Sequence, residues 1–421
     1  MSASLETAPA GPGSTGPRRG FLFFLGFAAV GAAMANLVPA VLTLSLKATQ
    51  LDAARATTIV SVVSGVGALA SLLAFPLLGR LSDRTTSRLG RRRPFLLLAV
   101  VLYAVGAGCM LVAGNTAVLT LSAVATFVGF SSVTVVCTAV LTDQLPPHRR
   151  GPASAVIGLS LPLGAVLGLF TAQLVAPDLT AMILLPAAAA IAGALLLFTT
   201  LDDPPGTARP PFDARELLRT FWVNPRRRPD FAWAWASRLL VFLGVAAIQA
   251  YQTFYLILVL DFPPERVAGA VFLSTLVLTA AATLFAPITA KLSDRLRRRK
   301  PFVVGAALIF AVGLGLAAFA DSFTEFLVAV GIVGLGQGVY LAVDIALVTQ
   351  LVPDPANSGK DLGLMNIANT LPSSIVPAIA PAILSIGATA AAPQNFTALF
   401  LVGALAGLAG AALILPIRTV A

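Results

Sequence analysis

Charged residues are scarce in this sequence, and their scarcity excludes a water-soluble protein. Only 11% of the 421 residues are Asp, Glu, Lys or Arg, whereas 57% are hydrophobic and the mean hydropathy is +0.91. A soluble domain has about 25% charged residues, because its surface must interact with water. The chain is therefore expected to lie in a lipid bilayer.

Residues that bind metals or phosphate groups are also nearly absent. The only histidine, His148, lies in a basic loop, and both cysteines fall inside apolar runs, where they are expected to pack as small hydrophobic side chains. The only Gly-Lys pair, at Gly359, is followed by Asp361 instead of Ser or Thr, so the sequence has no phosphate-binding loop. We expect no metal, no cofactor and no catalytic residue, which excludes an enzyme and an ATP-driven pump.

Apolar stretches that are long enough to cross a membrane recur along the whole chain. A helix of about 20 residues spans the roughly 30 Å hydrocarbon core of a bilayer. The sequence therefore predicts an all-α membrane protein with twelve transmembrane helices, near residues 21–46, 57–79, 94–114, 117–142, 153–176, 180–201, 231–260, 267–290, 301–320, 326–351, 362–387 and 396–416.

Two related loops between these stretches carry much of the positive charge. The first reads GRLSDRTTSRLGRRRPF (79–95), after helix 2, and the second reads AKLSDRLRRRKPF (290–302), after helix 8. This repeat, half a chain apart, predicts two pseudo-symmetric halves of six helices, as in many secondary transporters. We expect the halves at 21–201 and 231–417, a linker with a short amphipathic helix at 202–230, and a disordered tail at 1–20.

Lys and Arg are distributed unequally between the two sides of the predicted bundle. Nearly all of the 28 lie on the side that holds both termini, while the other side holds only Lys47, Arg55 and Arg266, and Arg238 lies within a helix. By the positive-inside rule both termini are cytoplasmic and the protein is a multi-pass plasma-membrane protein. The net charge of +10 then faces lipid headgroups, so no nucleic-acid partner is expected.

The repeated loop resembles the loop signature of the major facilitator superfamily. The longer form SRLGRRRPF resembles its sucrose symporter and glycoside-transporter branch, as do DFAWAWASRLLVFLG (230–244), YLAVDIALVTQLVP (340–353) and GKDLGLMNIANTLP (359–372). The resemblance implies the major facilitator fold, with helices 1, 4, 7 and 10 around a central cavity.

The resemblance also implies that the loops form a gate. Its residues are Gly79, Asp83, Arg84 and Arg91 in the first loop and Asp294 and Arg295 in the second. Asp83 would dock against the start of helix 11 and Asp294 against helix 5, where a helix N-terminus favours a negative charge. The alternative is that these two aspartates only neutralise the arginines next to them.

Polar residues inside the predicted helices share faces and are candidates for substrate binding, because polar groups in lipid are costly and usually face a cavity. They are Asn36, Thr134, Thr138, Gln249, Gln252, Gln337, Tyr340, Asn366 and Asn369. The threonine hydroxyls have an alternative, which is to bond carbonyls of their own helix.

Asp344 is the only acid deep inside a predicted helix, and Arg238 is the only base. Counted from the helix centres, both lie about 10 Å on the cytoplasmic side of the midplane. We expect them to pair, since each would be costly alone in lipid. Either the pair couples transport to protons or it only holds helices 7 and 10 together.

The sequence favours a monomeric secondary transporter that moves a neutral sugar or glycoside by alternating access, through proton-coupled symport. A cavity lined by amides, hydroxyls and one tyrosine suits an uncharged, hydroxyl-rich small molecule. The sequence departs from sucrose symporters at Thr138, where the resemblance leads us to expect an arginine. A proton-coupled exporter of a drug or secondary metabolite is the alternative, and a membrane sensor without transport is a third class.

Overall fold

The computed structural model describes residues 20–146, 149–204, 229–296, 299–351, 358–389 and 393–417, without the side chains of 264, 344–351 and 358–363. The predicted tail, His148 and nearly all of the predicted linker, with its amphipathic helix, lie outside the described residues.

Every predicted apolar stretch forms a helix, and the described residues contain no strand. Twelve of these described helices are long and apolar enough to cross a membrane, which confirms an all-α, multi-pass membrane protein. The helices are α1 (Phe21–Leu51), α2 (Ala56–Arg84), α3 (Arg93–Val112), α4 (Thr116–Gln144), α5 (Arg150–Leu174), α6 (Leu179–Thr200), α7 (Pro229–Leu258), α8 (Pro264–Leu296), α9 (Lys300–Ala318), α10 (Phe323–Leu351), α11 (Ser358–Thr370 and Pro372–Leu384) and α12 (Phe396–Ile414).

Two helices are less regular than predicted, and proline is the reason in both. In α1 a π-helical turn covers Pro39–Thr43, because Pro39 has no amide hydrogen for the regular helical bond. The predicted helix 362–387 is divided at Leu371, immediately before Pro372. The chain resumes as a helix at once, since the amides of Ser374 and Ile375 both donate to the Leu371 carbonyl.

The same pattern of helix packing occurs in both halves of the chain. In the first six helices, α1 packs against α5 and α6, α2 packs against α4, and α3 packs against α4 and α6. In the last six, α7 packs against α11 and α12, α8 against α10, and α9 against α10 and α12. Each pair in the first half therefore has its counterpart six helices later, as the duplicated loop motif leads us to expect.

Small residues let these helices approach each other closely. Gly164 of α5 faces Ala33 of α1, and a Cβ atom at Gly164 would overlap the Ala33 side chain. In the second half, a Cβ atom at Gly338 of α10 would overlap the backbone of Ala282 on α8. Van der Waals contact between backbones is a main source of helix association in lipid, where the hydrophobic effect contributes little.

Side chains cap several helices at the end of the bundle remote from the described termini. Asp178, for example, accepts hydrogen bonds from the amides of Thr180 at 2.9 Å and Ala181 at 3.3 Å, at the start of α6. These caps satisfy amides that have no partner within the helix. The capping residues at this end include Asp52, Asn115, Asp178 and Asn395.

Candidate substrate pathway between the two halves

The two halves are joined at the end remote from the termini. The hydroxyl of Thr253 on α7 donates to the Val41 carbonyl in the π-helical turn of α1, at 2.5 Å. The hydroxyls of Ser61 on α2 and Tyr251 on α7 are 2.6 Å apart. Both bonds are buried, so α7 is held against α1 and α2 where no water competes.

Apolar contacts also join the two halves at this end, between α5 and α8 and between α2 and α11. The rings of Phe170 on α5 and Phe272 on α8 have centroids 5.5 Å apart. Gly65 on α2 faces Pro377 in the second segment of α11, where a Cβ atom would lie 3.5 Å from the proline Cβ. The helix pairs that close the remote end therefore include α1 with α7, α2 with α7, α5 with α8, and α2 with α11. The side-chain amide of Gln394, just before α12, also donates to the Thr57 hydroxyl of α2, at 2.9 Å.

The end that holds the termini is more open along α5 and α8. On α8 the consecutive residues Thr283, Leu284 and Phe285 are all exposed, and Pro287 and Ile288 follow them. Consecutive exposed residues cover more than one face of a helix, so this part of α8 is exposed beyond a single lipid-facing stripe. By contrast Val271 and Ser274, nearer the remote end of α8, are fully buried.

Two amide groups lie near the middle of their helices with an unpaired oxygen. Gln337 is close to the centre of α10, and Asn369 precedes the break in α11. Gln337 Oε1 and Asn369 Oδ1 are buried and have no hydrogen-bond partner. Asn36, near the centre of α1, is half-buried. Buried acceptors without donors are costly, which makes these groups the best candidates for contact with a polar ligand.

The glutamines of α7 differ from each other. Gln249 is half-buried, whereas Gln252 is 3% exposed and its Oε1 accepts a hydrogen bond from the Ser274 hydroxyl at 3.0 Å. Gln252 therefore fixes α7 to α8 in this conformation. Asn366, in the first segment of α11, is exposed.

The threonines of α4 bond carbonyls of their own helix. Thr134 Oγ1 donates to the Phe130 carbonyl at 2.8 Å, and Thr138 Oγ1 to the Thr134 carbonyl at 2.9 Å. In this conformation the two hydroxyls therefore follow the alternative to substrate binding, which is to bond carbonyls of their own helix. The Thr138 side chain is exposed, and each oxygen keeps acceptor capacity for a ligand hydroxyl.

Arg238 and Tyr340 lie inside the second half. Tyr340 is 1% exposed, and its ring meets Phe242 edge to face with centroids 6.4 Å apart. Arg238 is 5% exposed, and its Nη1 donates to the Met365 carbonyl of α11 at 3.3 Å. The backbone of Asp344 belongs to α10, but its side chain lies outside the described residues, so its pairing with Arg238 stays a prediction.

Arg92 connects the residues of the first loop. Its side chain is 5% exposed and contacts Asp83 at 2.7 Å and Asp143 of α4 at 3.0 Å. It also donates to the Ser82 hydroxyl. Arg91 contacts Asp143 as well, at 2.7 Å, and this hydrogen bond raises the pKa of Arg91 above its usual value.

The two gate aspartates thus contact neighbouring arginines in this conformation. Asp83 contacts Arg92, and in the second loop Asp294 lies 3.8 Å from Arg299. Their docking against α11 and α5 stays a prediction for another conformation. Of the other gate residues, Arg295 is exposed and Arg84 is half-buried. A Cβ atom at Gly79 would meet nothing within 4 Å.

Asp203, shortly after α6, caps the N-terminus of α3, although the two lie far apart in the sequence. Its Oδ2 accepts the amides of Arg92 at 2.5 Å and Arg93 at 2.8 Å. Arg92, which holds the N-cap position of α3, makes no capping bond with its own side chain. Gly90 has a φ of 109°, and a Cβ atom there would overlap the Asp203 carboxylate, so only glycine fits.

Sequence analysis missed Arg92, Asp143 and Asp203. Arg92 is the middle one of three consecutive arginines, and nothing in the sequence distinguishes it from its neighbours. Asp143 and Asp203 had a weak signal, because each is an acid at the end of an apolar stretch on the strongly basic side. Their partners are far away in sequence, so only the fold identifies the contacts.

A pathway that is closed between two related halves at one end is the arrangement of a carrier that exposes a solute to each side of the membrane in turn. The sequence profile of the Major Facilitator Superfamily matches residues 20–286 and 268–420 of this chain. The chain therefore belongs to this superfamily and is a secondary transporter, not an enzyme.

Solved structures agree with this fold. A mutant of the nucleoside transporter NupG has a TM-score of 0.74 at 12% identity, over 94% of this chain and 99% of that one. A D-xylose-proton symporter has a TM-score of 0.70 at 14% identity, with 94% and 97% covered. A bacterial homologue of the human lysosomal transporter Spinster, inward-facing and occupied, has a TM-score of 0.69 at 16% identity, with 96% and 95% covered. No curated protein matches the sequence.

The cap by Asp203 leads to a prediction about stability. We expect Asp203→Ala to destabilise the protein by about 1 kcal/mol, because it removes a helix cap, and Asp203→Asn to cost much less, because Asn also caps helices well. Gly90→Ala should destabilise too, because its Cβ atom would overlap both the carboxylate and the backbone carbonyl oxygen of Asp203 and because φ is positive there. The measurement is thermal unfolding of the purified protein in detergent.

A double-mutant cycle makes the test specific. Gly90→Ala and Asp203→Ala should be non-additive because the residues are in contact, whereas Gly90→Ala and Asp178→Ala should add, since Asp178 caps α6 at the opposite end. Equal stability of wild type and Asp203→Ala, or additivity in the first pair, would show that this carboxylate does not hold the loop.

Proposed function

We propose that this protein transports a neutral, hydroxyl-rich solute, a sugar or glycoside, across the plasma membrane by proton-coupled symport, with both termini in the cytoplasm. The observation that supports it most is the pair of unpaired amide oxygens of Gln337 and Asn369 at mid-depth. Hydroxyl groups of a substrate would donate to them and remove the cost of two buried, unpaired acceptors.

The charge distribution supports an uncharged substrate. The candidate residues at mid-depth are amides and hydroxyls, and Arg238 is directed at a backbone carbonyl of α11. An ionised substrate would need an opposite charge within reach, because burying an unpaired charge costs several kcal/mol or more. The structural neighbours named above include carriers of D-xylose and of nucleosides, two neutral classes that carry several hydroxyl groups.

An exporter of a drug or secondary metabolite is the second candidate. It is favoured by the apolar residues exposed near the open end, Leu159 and Leu163 on α5 and Leu284 and Phe285 on α8. Such walls suit a substrate with an apolar part better than a simple sugar. The two candidates differ in direction of transport and in the polarity of the substrate.

Uptake of labelled solutes into proteoliposomes separates these candidates. We expect uptake of at least one sugar or glycoside from a small panel, stimulated by an inward proton gradient. Gln337→Met and Asn369→Leu should each raise KM several-fold, as expected for a lost hydrogen bond of about 1 kcal/mol.

Gln50→Met is the matched control, since Gln50 is exposed at the end of α1, away from the pathway. No uptake of any sugar, together with proton-driven extrusion of an amphipathic dye, would support the exporter instead. Unchanged KM values in both amide variants would remove these residues from the site.

Proton coupling is proposed for Asp344 and Arg238. The Tyr340 ring contacts Phe242 of α7, and Asp344 follows Tyr340 by one helical turn just as Arg238 precedes Phe242 by one turn. This arrangement supports the proposed pairing of Arg238 with Asp344. If the pathway alternately buries and hydrates this carboxylate, it can bind a proton on one side and release it on the other.

Asp344→Asn mimics the protonated state. We expect this variant to bind and exchange substrate but not to accumulate it against a gradient, and Arg238→Ala to impair coupling as well. Counterflow and gradient-driven uptake measure the two activities separately. Full accumulation by Asp344→Asn would refute the proton role, and restored accumulation in Asp344→Asn with Arg238→Gln would instead support a purely structural pair.

Asp83 is proposed to change partner as the gate moves. It contacts Arg92 in this conformation, and the start of α11 would be its partner when the end that holds the termini closes. Asp83→Asn should leave expression near normal and slow transport, since it removes a contact worth about 0.3–2 kcal/mol in one state. Unchanged rates in both Asp83→Asn and Asp294→Asn would exclude the gate.

A further inference from the structure

Two side chains of α7 bind the backbone of the first segment of α11, which is Ser358–Thr370. Trp235 Nε1 donates a hydrogen bond to the Leu364 carbonyl at 2.9 Å. Arg238 Nη1 donates to the next carbonyl, that of Met365, at 3.3 Å. Trp235 and Arg238 are three residues apart and therefore lie on one face of α7. Together they contact two consecutive peptide groups of α11.

The surroundings of these two bonds are largely apolar. Leu364 and Met365 are buried, and the half-buried Trp235 packs against the same hydrophobic cluster. A carbonyl oxygen has two lone pairs, so each of these two carbonyls accepts a side-chain donor in addition to its regular helical amide. In such surroundings little water is available to replace a missing donor. Removal of the indole N–H would therefore weaken the contact between α7 and α11.

The break in α11 makes the position of the first segment depend on this contact. Pro372 has no amide hydrogen for the Ala368 carbonyl, so the regular helical bonding is interrupted between the two segments. The second segment packs against α2 of the other half, as well as against α7 and α12. The first segment packs mainly against α7. The place of the first segment is therefore set by α7 more than by the rest of its own helix.

The first segment carries two of the amides that are candidates for substrate binding. Asn366 is exposed, and Asn369, three residues later, is half-buried. Polar side chains inside a membrane usually face a cavity. Asn369 follows Met365 by one helical turn, so its regular helical amide bond goes to the carbonyl that Arg238 also contacts. The place of these amide side chains is therefore set by peptide groups that α7 binds.

We propose that Trp235 is a positioning residue for substrate binding. Its indole N–H holds the first segment of α11 against α7 and thereby fixes the position of Asn366 and Asn369. This inference rests on the proposed function, because the two amides serve as ligands only if the protein takes a hydroxyl-rich solute. Arg238 makes the second bond, but it also belongs to the proposed coupling pair. Trp235 is therefore the residue whose positioning role is tested separately from coupling.

Hydrogen–deuterium exchange of the purified protein in detergent tests the contact without any substrate. Trp235→Phe keeps an aromatic ring but removes the N–H donor. We expect the amides of residues 364–370 to exchange several-fold faster in this variant, because the segment opens locally more often. Trp233→Phe is the matched control, since Trp233 is two residues away on the same helix and is 39% exposed. Exchange within α3, in the other half, should be the same in both variants.

Uptake into proteoliposomes tests whether the contact serves substrate binding. We expect Trp235→Phe to raise KM several-fold with little change of kcat per active transporter. Proton-driven accumulation at saturating substrate should persist in this variant, in contrast to Arg238→Ala. In the Asn369→Leu background, Trp235→Phe should raise KM much less than in the wild type, because the amide that it positions is gone. A residue with a purely structural role would have the same effect in both backgrounds.

Two results would overturn this inference. Unchanged exchange of residues 364–370 in Trp235→Phe would mean that the indole does not hold α11. Faster exchange with an unchanged KM, or with an equal rise of KM in the Asn369→Leu background, would mean that Trp235 only stabilises the fold. If the wild type takes up no sugar or glycoside, the proposed function fails, and the exchange result by itself decides whether Trp235 holds α11.

Discussion

The absence of water from the core of a bilayer is the constraint on which this structure depends. Every polar group inside the membrane must find its partner within the protein. Some do so locally, as when the hydroxyls of Thr134 and Thr138 donate to carbonyls of their own helix, and others do so between helices, as when Lys47 of α1 donates to the Leu111 carbonyl at the end of α3. The polar groups without a hydrogen-bond partner in this conformation are therefore informative, because each marks a place where a ligand, a water or another conformation completes the bonding.

Closure between the halves follows the same constraint and remains weak enough to reverse. Two neutral hydrogen bonds, Thr253 to Val41 and Ser61 with Tyr251, join α7 to the first half. A third neutral bond, from the Gln394 side-chain amide to the Thr57 hydroxyl at 2.9 Å, joins the segment before α12 to α2. Each of these bonds contributes about 0.5–1.5 kcal/mol, and apolar surfaces between helices add further contact. A closure of this size can be broken without unfolding either half, as a carrier with two accessible conformations requires.

Charge is concentrated where water is present, and in the loop after α2 it forms a network instead of isolated pairs. Arg92 joins the loop after α2 to α4 through Asp83 and Asp143, and Asp203 connects the end of α6 to the start of α3. The loop that carries the proposed gate residue is therefore fixed by three helices. Asp83, at the exposed edge of this network, is the member that can leave it at the smallest cost, since its side chain is 56% exposed.

The sequence by itself determined the all-α class, the twelve spans and the repeat of six helices, and it raised the bonding of the α4 hydroxyls to their own helix as one of two alternatives. These features depend on length, hydropathy and local geometry, which each helix in a bilayer satisfies independently of the others. Only the tertiary structure decided that Arg92, and neither Arg91 nor Arg93, joins Asp83 to Asp143, that Gln252 is held by Ser274, and that the amide oxygens of Gln337 and Asn369 are unpaired. Those outcomes depend on contacts between side chains of helices that are distant in the sequence. Helical periodicity gives the face on which a residue lies but not the residue that it contacts.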